Sequence, residues 1–123
     1  MTEAPEVPDW FDRLAEALST AAPLTGEGTL RLGQLILGED GSVRFAYTVE
    51  LAAGRPPRLL GTEIDKAEVT LVESEATAAA LASGAASAAE LLEQGRIKVR
   101  GDAAALVRAA GLIEQLSAVM APG

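Results

Sequence analysis

Gly95-Arg96-Ile97-Lys98-Val99-Arg100-Gly101-Asp102 carries two apolar side chains between three cations. Strict alternation of this kind marks a strand with one face in and one face out. Gly101 turns the chain and Asp102 is a good helix N-cap. The residues that follow hold Leu106, Ala110, Ile113, Leu116 and Met120 at helical spacing, with Leu112 and Val119 widening the stripe. The stretch therefore predicts a strand over 96–100 and one long helix over 103–120, its stripe in the core and Arg108 and Gln115 off it.

Upstream the elements are short. Ala67 to Glu73 reads as a strand with Val69 and Leu71 inward. Ser74 caps a helix that Gly84 ends, and Ser87 with Glu90 forms a capping box for a second short helix ending at Gly95. Residues 42–52 alternate cleanly, with Val43, Phe45, Tyr47, Val49 and Leu51 on one face. Residues 29–38 change phase between Leu32 and Leu35, which predicts a bulge near Gly33 and Gln34. Glu39-Asp40-Gly41 joins these two as a hairpin turn. Gly54-Arg55-Pro56-Pro57 forces a loop before a short strand at 58–61. Residues 9–21, with Trp10, Leu14 and Leu18 on one side, open the chain as a helix after an acidic, proline-bearing tail over 1–8. The order α-β-β-β-β-α-α-β-α predicts a single α+β domain over 9–120.

Composition bounds the chemistry. The chain has 123 residues, 49% hydrophobic, with a net charge of −8. At this length about two-thirds of the unfolded surface is buried, so no staple is needed. With no Cys and no His, disulfides, thiol catalysis, His-ligated metals and Ser-His triads are excluded. The acidic balance argues against nucleic acid. No stretch reads as a targeting signal or a spanning segment, so the expectation is a cytoplasmic protein without integral membrane association. Neither a cofactor nor a metal is expected, and the oligomeric state is not legible. Alanine accounts for 25 residues and aromatics for four, namely Trp10, Phe11, Phe45 and Tyr47. Small side chains let helices approach closely but fill space poorly.

Ala67-Glu68-Val69-Thr70-Leu71-Val72, Ser83-Gly84 and Gly95-Arg96-Ile97-Lys98-Val99-Arg100-Gly101-Asp102 stand in the order and spacing of the sterol carrier protein type 2 domain. The chain resembles that family over about residues 42–118. The resemblance implies a five-stranded, mainly antiparallel sheet covered by helices and enclosing an apolar tunnel. It also implies binding of sterols, fatty acids, fatty acyl-CoA or phospholipids without catalysis. Two departures stand out: Ala88 where the family often has Pro, and Leu92 where it often has Phe. The second reshapes the space under that helix.

The expected ligand is thus an apolar small molecule or lipid: a fatty acyl chain, a sterol or a polyketide-like molecule. Candidate liners are Phe45, Tyr47, Leu92, Ile97, Val99, Leu106, Ala110 and Ile113, with no catalytic residue among them. Two other readings stay open. A cavity can template a cyclisation by holding a flexible substrate in a reactive shape, with Tyr47 or a cavity carboxylate as its polar contributor. Alternatively, apolar surface meets a protein partner in an assembly. Arg96, Lys98 and Arg100 read as a solvated face that blunts a sheet edge, with an anion site at Gly101 as the alternative. Arg100-Gly101-Asp102 spells the integrin tripeptide, which the capping role of Asp102 accounts for. Asp40, Glu63, Asp65, Glu68, Glu73 and Glu75 read as scattered turn, strand and cap carboxylates. Trp10 and Phe11 read as the anchor of the first helix on the sheet.

Overall fold

Side-chain caps set where the helices begin. Ser74 Oγ accepts from Thr77 N at 3.2 Å and starts α2 (Glu75–Ser83), which Gly84 ends in a left-handed conformation. Ser87 Oγ accepts from Glu90 N at 3.2 Å and starts α3 (Ala88–Glu93); the Ser87 hydroxyl also donates to Glu90 Oε1 at 3.1 Å. Asp102 Oδ1 accepts from Ala105 N at 3.2 Å and starts α4 (Ala103–Arg108). Each satisfies backbone N–H groups that a helix start leaves unpaired. This computed structural model describes residues 9–61 and 66–120, so the acidic tail over 1–8, Glu63 and Asp65 lie outside the described residues.

Between the first helix, α1 (Asp9–Ser19), and α2 run β1 (Thr29–Leu37), β2 (Val43–Ala52), β3 (Arg58–Gly61) and β4 (Val69–Ser74); β5 (Lys98–Gly101) precedes α4, and α5 (Ala110–Met120) follows it. The five strands form one sheet in the order β3-β2-β1-β4-β5. β1–β2, β2–β3 and β4–β5 pair antiparallel, and β1–β4 pairs parallel at the centre. Among the described residues, the helices contribute Phe11, Leu14, Leu18, Ala78, Leu81, Leu91, Ala105, Ala109, Leu112 and Leu116 to the core against the sheet. The expected α+β sheet, mainly antiparallel and helix-covered, is the fold observed.

Three expectations need correction. β1 runs in regular register through Gly33 and Gln34; the irregularity lies at Ile36/Leu37, where Arg44 is the extra residue on β2. The polarity pattern slipped because Gln34 occupies a core-facing position while Leu35 lies on the opposite face, also buried. The last helix is two helices. Ala109, with φ −100° and ψ 15°, breaks it beside Gly111, a weak helix former. The stripe is displaced as a result. Ala105, Ala109, Leu112 and Leu116 are buried, whereas Leu106 and Ile113 are half-buried and Ala110 is exposed.

Gln115, off the expected stripe, clamps α5 to the chain after α1. Its Oε1 accepts from Thr25 N at 2.8 Å and its Nε2 donates to Thr25 O at 2.8 Å.

Gly101 shows why a glycine precedes the Asp102 cap. Its φ is +92°, and the Asp102 N–H donates to Glu68 O at 3.1 Å. A Cβ on Gly101 would stand 2.7 Å from that same carbonyl oxygen. Replacing Gly101 with alanine is therefore expected to destabilise the fold by about 1–3 kcal/mol through backbone strain and the close contact. Denaturant unfolding of the wild type and Gly101→Ala measures it; equal midpoints would show that the β5–α4 junction tolerates a side chain.

Candidate functional site

Three chain segments wall a cleft above β4. α3 supplies Leu92, α4 supplies Leu106 and Val107, α5 supplies Ala110 and Ile113, and Leu71 forms the floor from the sheet. The space measures about 560 Å³. Ser87 and Glu114 are the polar or charged lining residues, the first half-buried and the second exposed. Val107 stands beside them with 75% of its surface open to water. A wall of this kind offers dispersion and escape from water to an apolar chain, and very little acid–base chemistry.

The structure brings Leu92, Leu106, Ala110 and Ile113 together on this cleft. Val99 lies next to it, half-buried and opposite Leu71 in the β4–β5 register. Ile97 is buried in the core just before β5. Phe45 and Tyr47 sit elsewhere, on β2 under α1. Their rings pack on Phe11 at 4.7 and 5.3 Å between centroids, and on Trp10 at 6.2 and 6.1 Å. All four aromatic residues thus form one cluster, with Trp10 and Phe11 anchoring α1 to the sheet.

Sequence reasoning missed a buried polar pair. Glu73 on β4 is only 4% exposed. The side-chain amide of Gln34, also buried, donates to its Oε1 and Oε2 at 2.5 and 3.1 Å. The signal was available: Glu73 follows Val69 and Leu71 at strand period, so it shares their inward face. Burial away from water disfavours the charged carboxylate and pushes Glu73 up to about 8. The Tyr47 phenol is pushed well above its ordinary value, by burial first and by the Glu73 charge second. Asp40, by contrast, is an exposed turn residue held below its usual value by accepting from the Ser42 hydroxyl and backbone. No group of three or more side chains that could hold a metal ion occurs among the described residues.

A second hollow, about 590 Å³, lies where the β1–β2 turn meets the start of α2. Arg44 Nε donates to Glu75 Oε1 across it at 2.8 Å, an exposed ion pair.

Residues 21–114 match the SCP-2 sterol transfer family. The chain belongs to that family. Solved structures agree on the fold. A crystal structure of sterol carrier protein 2 superposes with a TM-score of 0.62 at 19% identity, covering 90% of this chain and 92% of that one. The solution structure of Aedes aegypti sterol carrier protein 2 in complex with palmitate gives 0.58 at 20% identity, covering 90% and 93%. Palmitated sterol carrier protein 2-like 2 from the same mosquito gives 0.56 at 21% identity, covering 87% and 90%. No curated protein matches the chain.

Glu73 makes a pH prediction for this family member. The folded carboxyl holds its proton up to about 8, while in the unfolded chain it ionises near its ordinary value of 4.5. Between those values the unfolded state sheds the proton first, so this group's contribution to stability falls as pH rises. Below the window both states are protonated, and above it both are ionised. Melting curves taken from about pH 5 to about pH 8 should show Glu73→Gln gaining steadily on the wild type. A constant difference between the two proteins across that range would show that Glu73 titrates normally.

Proposed function

We propose that the chain binds and carries a ligand with a long apolar portion, of the fatty acyl kind, in the cleft between α3 and α4–α5, without catalysis. The observation that carries this reading is the wall itself: aliphatic side chains from three helices face an open space of about 560 Å³ in a chain this small. Apolar surface left in water is costly, and a partner chain entering the cleft covers it. Each methylene transferred from water is worth about 0.8 kcal/mol, so eight of them supply roughly 6 kcal/mol before the costs of binding. The palmitate in two relatives supports an acyl chain as the ligand type. Binding is favoured over templated chemistry because the lining offers polar groups only in half-buried Ser87 and exposed Glu114. Among the described residues no helix is long and apolar enough to cross a membrane. The cytoplasm is the place of action consistent with this reading.

Ala110 tests the site. It is exposed on the cleft wall rather than buried, so a phenyl ring there has room and does not overpack the core. Ala110→Phe should leave stability within about 0.5 kcal/mol of wild type. It should weaken binding of a fluorescent fatty acid by about tenfold, the equivalent of ~1.4 kcal/mol. Undiminished affinity in a folded variant would move the ligand out of this cleft.

Salt tests what holds the ligand. Burial of an apolar chain is only weakly sensitive to ionic strength, whereas exposed charge contacts are screened. Fatty-acid affinity should therefore change little between low and high salt. A collapse at high salt would transfer the main role to head-group contacts, with the exposed Arg96, Lys98 and Arg100 as the available cations.

A further inference from the structure

Arg96, Lys98 and Arg100 form a row of cations in a chain of net charge −8, and carriage in the cleft makes no use of them. All three are exposed. The ion pairs among the described residues are Arg31–Glu50, Arg44–Glu75, Arg58–Glu50 and Arg108–Asp102, so none neutralises the row. Register shows where the two cations within β5 point. Lys98 lies opposite Val72 and Arg100 opposite Thr70, while Val99 lies opposite Leu71 on the face that the helices cover. Val72 and Thr70 lie in turn opposite Leu35 and Gly33 on β1. Lys98 and Arg100 therefore project from the face turned away from the helices, and the positions beside them on β4 and β1 carry no charge.

The strand that holds them is also an edge. Among the described residues β5 pairs with β4 and with no other strand. The Asp102 N–H donates to Glu68 O, which sets the alternation of this ladder. Lys98 and Arg100 then turn their backbone groups to β4, and the N–H and C=O of Val99 turn outward. An edge of this kind is a template for one more strand. A second copy of β5 fits it poorly. Antiparallel pairing centred on Val99 sets Lys98 against Arg100, and like charges repel across strands.

We propose that β5 accepts an extended segment of an acidic protein partner as a sixth strand, with carboxylates beside Lys98 and Arg100 and an apolar residue between them beside Val99. The acid–apolar–acid order follows from the strand period of two: residues beside the cations share their face, and the residue beside Val99 shares the face of the helices. The charges that block self-pairing thus select this partner. A narrow segment meets the row alone. A broad anionic lipid surface also meets the repulsion of a molecule that carries a net charge of −8.

The test titrates the full chain, followed by NMR, with two end-capped peptides of one composition: Glu-Val-Glu-Val-Glu and Glu-Glu-Val-Val-Glu. Both carry the same charge, and only the first has carboxylates two residues apart. The alternating peptide should bind about tenfold tighter, since it alone sets a carboxylate beside each cation. Hydrogen exchange at the Val99 amide should slow when it binds, which contacts from side chains alone do not cause. Lys98→Glu combined with Arg100→Glu should weaken the alternating peptide by about tenfold or more, attraction becoming repulsion at two cross-strand positions. Lys98→Gln with Arg100→Gln takes its place if that variant does not fold. Absence of peptide binding, equal affinity for the two peptides, unchanged exchange at Val99 or undiminished affinity in the charge variant each overturns the proposal. Binding of phosphatidylserine vesicles without binding of the peptide overturns it too and assigns the row to a lipid surface. None of these outcomes bears on carriage in the cleft.

Discussion

The helix layer covers a five-stranded sheet with leucine and alanine side chains, and the chain has only four aromatic rings to add bulk between the two. All four are spent in one place, where Trp10 and Phe11 of α1 pack on Phe45 and Tyr47 of β2. Protein interiors are close-packed, so what the rings fill there is no longer open to a ligand. Over β4 and β5 the covering is thinner. Ala105 and Ala109 reach the core with single methyl groups, and α4 turns into α5 at Ala109 instead of running straight. Methyl groups let a helix lie close to a sheet, but they fill less of the space beside it than longer side chains do. The cleft is where that shortfall collects.

The same division explains what was legible in the sequence. Caps were legible because they depend on a side chain and backbone two or three residues away; Ser74, Ser87 and Asp102 each accept the hydrogen bond their position implied. β2 was legible from Phe45 to Leu51, where Phe45, Tyr47, Val49 and Leu51 are buried on one face; Val43, expected with them, is exposed beyond the bulge at Arg44. β1 misled at Gln34 and Leu35, where polarity and burial part company. Hydrophobic patterning assumes that core positions are apolar, and Gln34 breaks the assumption in favour of Glu73. Pattern alone could not pair them, since they meet only through the parallel β1–β4 ladder.

The eight candidate liners divide in the structure, four on the cleft and four off it. Leu92, Leu106, Ala110 and Ile113 were candidates by virtue of apolar character at helical spacing and a family resemblance, and they do line the cleft. Phe45 and Tyr47 were candidates on the same grounds and lie under α1 instead. Nothing local distinguishes an aliphatic residue that packs on protein from one that faces a hollow. That distinction is set by whether another element arrives above it, which depends on helix length, bend and the volume of side chains far off in sequence.

Along the helices that wall the cleft, the two kinds of residue turn out to be neighbours. Leu91 is fully buried while Leu92 lines the cleft; Ala105 is buried beside Leu106, Ala109 beside Ala110 and Leu112 beside Ile113. Adjacent positions on a helix differ by about 100° in direction, so one residue can hold the helix to the sheet while the next faces the cleft. Leu92, where the family often has Phe, falls on the cleft side of this division. The size of the side chain there changes the volume of the cleft, while the neighbouring Leu91 is fully buried. Core cavities destabilise in proportion to the volume lost, whereas volume removed from the wall of an open cleft widens the cleft. Of the four cleft-side residues, Leu92, Leu106 and Ile113 also pack against the core, so a change there alters both the shape of the cleft and the packing beneath it, whereas Ala110 is exposed.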